Sequence, residues 1–492
     1  MNDSILIVGD NRRTLRALAD NSVDAVVCDP PYGLGKEPDM AEVLRHWING
    51  DDHDATGGGF MGKSWDSFVP GPATWREVFR VLKPGGHVLA FSGTRTFDMA
   101  ALALRLAGFE IRDTVSWMYG QGFPKSMNIS KAIDKAAGAE RTKIPVGDPV
   151  KRMIPGADQN ETGSWIKDNG REYQPGIEVA ATPEAALWDG WGTALKPAWE
   201  PIVVARKPVE GTVASNVLRY GTGAINIDAT RIATTDPLGG GAETETRADQ
   251  KGNEGWERPW MSDPEAQAAH AATVRANVIK AEALGRFPAN VMLSHTEDCV
   301  QVGVRTVASN GHYPSARPGT TTITTDGHGG QDDLVERFMT GETVESWECV
   351  DDCPVRLLDG QSGISKSGIA VKRNLTSAGA DQQIGDTGGA SRFFYNAKTA
   401  KGERNAGMPE GTVNDHPTVK PVAVMEWLIK LVTPPGGWVL DPFAGSGSTG
   451  VAAANLGVSF IGLELEGHSA AIAKHRIEHT GTTVDVYGKA EL

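Results

Sequence analysis

The stretch Ser22-Val-Asp-Ala-Val-Val-Cys-Asp-Pro-Pro-Tyr-Gly33 decides how this chain is read. Ala25 to Cys28 is a short apolar run of the kind that forms a buried strand. It ends at Asp29, and the two prolines that follow have no N–H to donate, so a central strand cannot pass through them. One carboxylate (Asp29), one free carbonyl (Pro30) and one aromatic ring (Tyr32) are thereby gathered where a strand stops. In an open α/β sheet the carboxyl ends of the strands are where ligands bind.

Far down the chain a second strand does the same. Val439-Leu-Asp-Pro-Phe-Ala-Gly-Ser-Gly-Ser-Thr-Gly450 runs from a strand through an acid and a glycine-rich turn into a helix start. Gly445, Gly447 and Gly450 fit the Gly-x-Gly-x-x-Gly pattern of nucleotide-binding turns, a weak signal by itself. A further strand, Ser459 to Leu463, leads to Glu464, about twenty residues after the first glycine, where an acid can hold the hydroxyls of a ribose. A nicotinamide-dependent oxidoreductase would share this loop. It would carry it near the start of its domain, and it would leave Asp29-Pro-Pro-Tyr32 unexplained.

Taken together, Asp29-Pro-Pro-Tyr32, Asp441-Pro-Phe-Ala-Gly-Ser-Gly447 and His416-Pro-Thr-Val-Lys-Pro421 resemble the amino-group DNA methyltransferases, which methylate adenine N6 or cytosine N4 with S-adenosylmethionine. The order, catalytic motif first and cofactor loop last, resembles the circularly permuted β-type members found in phages and in bacterial restriction-modification systems. The resemblance covers roughly residues 1–130 and 385–480. It implies an α/β fold, a doubly wound Rossmann-like methyltransferase sheet built from the N- and C-terminal parts of the chain around a large central insertion. Residues 1–140 are then the catalytic half, 141–384 a target-recognition or insertion region, and 385–492 the cofactor-binding half.

It also implies roles. Asp29, Pro30 and Tyr32 are the catalytic residues. Asp10, Lys420, Asp441, Phe443, Gly445, Ser446, Gly447 and Glu464 hold S-adenosylmethionine, with Asp10 near the adenine, Phe443 flanking the cofactor and Lys420 near its carboxylate. For Asp10, which follows the strand Ile5 to Val8, a plain helix N-cap is the alternative. The expected reaction is site-specific methylation of adenine N6 in duplex DNA. Cytosine N4 and an inactive DNA-binding relative are the alternatives, although cytosine-N4 members more often begin the motif with Ser. Tyr119-Gly-Gln-Gly-Phe-Pro-Lys125 is expected to help hold an extruded base, and the glycine-rich loop around Gly57-Gly58-Gly59 to lie near the site.

Three cysteines join one histidine in two pairs in the middle block: His295-x3-Cys299 and Cys349-x3-Cys353. A Cys3His set can hold a structural zinc tetrahedrally; the alternative is a small cluster of reduced cysteines. Cys28 reads as core. A thiol there would suit cytosine C5 chemistry, but an Asp rather than a Pro-Cys pair follows the strand.

Composition sets outer bounds. The 492-residue chain has room for one large elaborated domain or two, and Gly 59 with Pro 28 points to long loops. Four cysteines make no disulfide scaffold and suit a reducing cytoplasm. No apolar run approaches a bilayer span, and Asp10, Arg12, Arg13 and Arg16 break up any signal-peptide core. The net charge of −14 sits poorly with DNA phosphates. Residues 364–404 are the exception, with seven cations against three acids. Double-stranded DNA is the expected partner and no membrane is; a homodimer and a cognate restriction endonuclease stay open.

Overall fold

A computed structural model describes residues 3–53, 64–120, 126–147, 150–151, 172–232, 285–296, 298–307, 342–351, 353–363, 365–366, 387–388, 390–397 and 402–488, with short pieces between 263 and 276. The loop around Gly57, residues 121–125, most of 233–284, and Lys372, Arg373, Lys398 and Lys401 of the basic segment lie outside the described residues.

Ten strands form one sheet: β1 (Ser4–Val8), β2 (Val23–Cys28), β3 (Leu82–Phe91), β4 (Glu110–Met118), β5 (Trp199–Arg206), β6 (Val291–Ser294), β7 (Tyr395–Ala397), β8 (Trp438–Asp441), β9 (Ser459–Glu464) and β10 (Val484–Tyr487). Their spatial order is β7-β6-β4-β5-β3-β2-β8-β9-β1-β10. Strand β5 is antiparallel to both neighbours, and the other pairings are parallel.

Every residue of β2 is buried. Strand alternation sends Ala25 and Val27 into one apolar layer and Val26 and Cys28 into the other, so Cys28 is core, as its apolar surroundings suggest. The first layer is completed by α4 (Val422–Val432), α5 (Ser448–Leu456) and α6 (Gly467–Glu478). The second is completed by α1 (Met40–Asn49), α2 (Pro72–Val81) and α3 (Phe97–Leu106). A mostly parallel sheet with both faces covered by helices is the doubly wound α/β architecture.

Two departures from the sequence reading have local causes. The sequence expects a helix over Trp75 to Leu82, stopped by Lys83-Pro84-Gly85-Gly86, and then a strand from His87 to Phe91, but those four residues lie within β3. Leu82 already pairs with Val23, and the register resumes at Ala25↔His87 after a bulge. Gly85 takes φ +78 there, and its N–H donates to the Lys207 carbonyl at 3.1 Å. The other departure is Trp199–Arg206, expected in the target-recognition block. Apolar on both faces at Ile202–Ala205, it is inserted between β3 and β4 of the large sheet.

Residues 121–198 form a compact unit of their own, apart from the body made of 1–120 and 199–492. In it, strands Thr142–Pro145 and Gly176–Val179 pair antiparallel. Asp134 is its buried anchor, bonded to the Ala181 and Thr182 N–H groups at 3.0 Å each and paired with Arg141 at 3.2 Å.

Candidate active site

Strands β2 and β8 are neighbours although some four hundred residues separate them, with Val439 opposite Ala25 and Leu440 opposite Val26. From this seam the strand order runs outward in both directions, which is the switch point where ligands of such sheets bind. Asp29 and Asp441 leave the two strands at the same edge and line one cavity of about 330 Å³, within the roughly 300–1,000 Å³ usual for ligand pockets.

The Asp29 end is a network. Lys420 Nζ reaches Asp29 Oδ2 at 2.6 Å and Glu200 Oε2 at 3.4 Å. The Tyr32 hydroxyl donates to the same Glu200 oxygen at 2.7 Å. The ammonium also lies 5.2 Å from the Tyr32 ring centre and 5.1 Å from that of Phe91, close enough for cation–π attraction. Burial alone would lower the proton affinity of Lys420; the Asp29 and Glu200 carboxylates outweigh it and raise it. Asp29 Oδ1 is buried and has no hydrogen-bond partner among the described residues. The turn after the prolines is clamped by Asp66, whose carboxylate accepts from the N–H groups of Tyr32 (2.8 Å), Gly33 (3.0 Å) and Leu34 (3.3 Å). Thr96 Oγ1 donates to the Tyr32 carbonyl at 2.6 Å.

The Asp441 end is a cradle. Gly445 and Gly447 have φ of +51 and +80, which favours glycine. A Cβ on Gly445 would stand 3.0 Å from the His416 ring, and one on Gly450 would meet Ile477 of α6 at 2.3 Å. The three glycines thus serve the turn, the open face and close helix packing. The Gly445 N–H donates to Glu464 Oε2 at 2.7 Å and the Glu466 N–H to Glu464 Oε1 at 2.8 Å. A carboxylate has about four lone-pair sites, so Glu464 keeps acceptor capacity towards the cavity. Asp441 takes the Phe443 N–H at 2.9 Å and the Thr449 hydroxyl at 2.5 Å. Burial, the main cause, still pushes its carboxyl up to about 7. Buried Arg476 pins the turn through the Ser446 carbonyl at 2.7 Å.

The model of the N6/N4 family, described as DNA methylase, matches residues 23–475. This chain belongs to the N6/N4 DNA methylase family. It is 46% identical over 68 residues to the type II methyltransferase M2.DpnII of Streptococcus pneumoniae, a match covering 14% of this chain and 25% of that protein. It is 42% identical over 84 residues to the type II methyltransferase M2.LlaDCHI of Lactococcus lactis subsp. cremoris, covering 17% and 29%. The matched stretches span less than a third of either relative. Among solved structures it is similar to the PvuII DNA methyltransferase (cytosine-N4-specific), at 11% identity and a TM-score of 0.37 over 99% of this chain and 95% of that one. A likeness that slight says nothing about which amine is methylated.

In this family member eight of the catalytic and cofactor residues named from sequence come together in one cavity, while Pro30, Tyr32 and Gly447 are not among its lining residues; two refinements follow. Asp29, Lys420, Asp441, Phe443, Gly445, Ser446, Glu464 and Asp10 all line the one cavity. Lys420, expected beside the cofactor, is engaged by Asp29 and Glu200 at the catalytic end. Asp10 is the N-cap of Asn11–Thr14, accepting from Arg12 N at 2.9 Å and pairing with its guanidinium at 3.1 Å. Glu200 and Asp66 were not singled out from sequence. Glu200 stands near the start of a strand and Asp66 lies in a short 3-10 turn, and neither position marks its partner locally, since those partners lie 168 and 34 residues away.

The cysteines also assemble. The donor atoms of His295, Cys299, Cys349 and Cys353 all lie within 4.8 Å of one another. Cys349 Sγ and Cys353 Sγ stand 3.3 and 3.6 Å from His295 Nδ1. Among the described residues no helix is long and apolar enough to cross a membrane.

Proposed function

We propose that this protein transfers a methyl group from S-adenosylmethionine to the exocyclic N6 amine of adenine in duplex DNA, within a short sequence context. Asp29 Oδ1 carries the reading: a buried carboxylate oxygen with no hydrogen-bond partner among the described residues, on a residue lining a glycine-containing cavity, is an acceptor available to a donor. The cavity suits the cofactor. Glu464 offers an acceptor for ribose hydroxyls, the left-handed glycines leave room for close approach, and Phe443 lines an apolar wall.

Bound there, S-adenosylmethionine supplies a methyl group made electrophilic by its sulfonium. The protein acts on the amine, whose lone pair is delocalised into the ring. Asp29 Oδ1 and the Pro30 carbonyl are the two acceptors for its two hydrogens, which draws the nitrogen towards tetrahedral and localises the pair. Lys420 holds the other Asp29 oxygen and Asp66 clamps the turn, so the acceptors are set before the base arrives. The proton displaced as the N–C bond forms passes to Asp29. The target atom lies inside the duplex, so the base must be flipped out at a cost of a few kcal/mol, and Tyr32 offers a ring to stack on it.

Mass spectrometry of digested DNA after incubation with the protein and labelled S-adenosylmethionine tests this. N6-methyladenine is the expected product. N4-methylcytosine as the only new base would overturn the adenine assignment, and no label in any base would overturn the reaction.

We further infer that His295, Cys299, Cys349 and Cys353 hold one structural zinc ion. Zn–S near 2.3 Å and Zn–N near 2.0–2.1 Å in a tetrahedron put donors roughly 3.5–3.8 Å apart, and the observed 3.3 and 3.6 Å need little movement. The ion would tie the end of β6 to the strand Glu342–Glu348 and the helix Pro354–Ser362. Protein purified without chelator should carry about one equivalent, and Cys349→Ser should lower both metal content and Tm. Metal-free wild-type protein with an unchanged melt after Cys349→Ser would leave only the reduced-thiol cluster.

A further inference from the structure

Glu200 reaches the catalytic edge for a topological reason. Strand β5 runs against its neighbours, so its first residues enter at the edge where β3 and β4 end, with Glu200 opposite Trp117 and Ile202 opposite Phe91. The Ser92 N–H donates to the Pro201 carbonyl at 2.9 Å and locks that entry. A carboxylate near the start of an antiparallel strand is thus delivered beside Lys420 and Tyr32, from a part of the chain far in sequence from Asp29.

Its side chain is only 17% exposed, and it is held by residues around Asp29. Tyr32 donates to it at 2.7 Å. Lys420 bridges it to Asp29. Tyr119, whose ring centre is 4.8 Å from that of Trp117, the residue opposite Glu200, packs beside this group. Burial and then the Asp29 and Glu200 charges raise the Tyr32 hydroxyl; burial and then Glu200 raise that of Tyr119. The Tyr32 hydroxyl is therefore a neutral donor towards this anion. With Glu200 absent, Lys420 would be free to centre on Asp29 and cover both its oxygens, and the Tyr32 ring would lose its anchor.

Resting on the methyl-transfer reading above, we propose that Glu200 is the positioning residue of the target-base site: it anchors the Tyr32 ring and shares Lys420 with Asp29, so that Asp29 Oδ1 stays uncovered for the incoming amine. Glu200 touches neither the cofactor cradle nor the reacting atoms, so its removal should act on turnover and leave S-adenosylmethionine affinity alone.

Two arms test this on the full-length protein. In the first, wild type, Glu200→Gln and Glu200→Ala act on DNA purified from a methylation-deficient bacterium, and S-adenosylmethionine affinity is measured by calorimetry. Glu200→Gln keeps an acceptor for Tyr32 and loses the charge that shares Lys420; kcat should fall on the order of tenfold, the worth of one hydrogen bond to a charged group. Glu200→Ala should fall further, on the order of 10²-fold, and Glu200→Asp, which keeps the charge, should recover part of it. Cofactor affinity should stay at the wild-type value in all three. Unchanged kcat in the alanine variant, or a parallel loss of turnover and cofactor affinity, would overturn the proposal. In the second arm, crystal structures of wild type and Glu200→Ala are compared. Reoriented Tyr32 and Lys420 are expected, and an unmoved Lys420–Asp29 pair with an unmoved Tyr32 ring overturns the positioning role whatever the activity. Inert wild-type protein in the first arm would sink the methyltransferase reading, while the crystal arm still decides Glu200.

Discussion

Replacing Asp29 by asparagine should separate what that carboxylate does for the reaction from what it does for the fold. Lys420 is 8% exposed and its ammonium sits 2.6 Å from Asp29 Oδ2. Removing one partner of a buried ion pair typically costs about 3–5 kcal/mol because the other charge is stranded. Here Glu200 remains at 3.4 Å, so the loss should be smaller, about 2–3 kcal/mol, and a fall of several degrees in Tm. Turnover should drop on the order of 10²–10³ through loss of a preorganised acceptor, with S-adenosylmethionine affinity close to wild type because Glu464 and the glycine turn are untouched. The second substitution decides between causes. Lys420→Met in the Asp29→Asn background removes the stranded charge, and Glu200 keeps the Tyr32 hydroxyl as its donor. Calorimetric melts should therefore recover most of the lost stability, while single-turnover methylation stays down. Recovery of turnover in the double mutant would show that the orphaned ammonium, not the missing acceptor, had stopped the reaction, and the amine-polarising role of Asp29 would be refuted.

Two other outcomes follow from buried acids. Asp441 is raised from the usual 3.8 to about 7, chiefly by burial; the folded state holds a proton that the unfolded chain has already released, so stability falls as pH rises between about 4 and 7 and levels off above, by up to about 4 kcal/mol. Asp441→Asn, which can still pair with Thr449 and Phe443, should flatten that slope, its melting advantage growing from pH 4 to pH 8; parallel melting curves across that range would discount the ionised Asp441. Asp66→Ala strands three N–H groups of the catalytic turn and should cost about 3 kcal/mol and most of the turnover, with Asp66→Asn recovering part of both; a wild-type melt and rate would mean that the turn holds itself.

What could be read from sequence, and what could not, divides along one physical line. Asp29, Asp441 and Glu464 each end an apolar run that can only be a buried strand, and each is followed by residues that forbid its continuation or force a turn. Local chemistry announces such positions. Glu200 also begins a readable strand, but nothing local says that the strand enters the large sheet antiparallel, between β3 and β4. Its value as a site residue comes from that placement. Asp66 is a similar case, since its partners are N–H groups of another loop. Lys420 shows the complementary failing: the motif marks the residue correctly, but which of two neighbouring anions it serves depends on a fraction of a side-chain length. Asp10 reads as a cofactor contact with a helix cap as the alternative, and its bond from the Arg12 N–H is that of a cap.

The geometry of the site depends finally on a seam that no motif names. Strands β2 and β8 are paired in register at only two positions, Ala25↔Val439 and Val26↔Leu440, and the separation of Asp29 from Asp441 is set there. Asp24, wholly buried, reinforces it from below: Oδ2 accepts from the Trp438 N–H at 2.8 Å and Oδ1 takes the Lys83 ammonium at 2.6 Å. One carboxylate thus bonds the first residue of β8 and a residue of β3 from within β2, tying three successive strands of the sheet. A buried charge is costly unless it is paired and hydrogen-bonded, and Asp24 is both. Its return is positional: parallel strands with few shared backbone bonds can slide, and a one-residue slip would turn Asp441 to the opposite face of the sheet. The same acid also explains why a bulge is tolerated in β3 at 83–86, since that bulge is what brings Lys83 to it. Catalytic and cofactor motifs at opposite ends of a long chain can be held at fixed separation because a third acid, with no chemistry of its own, joins the strands that carry them.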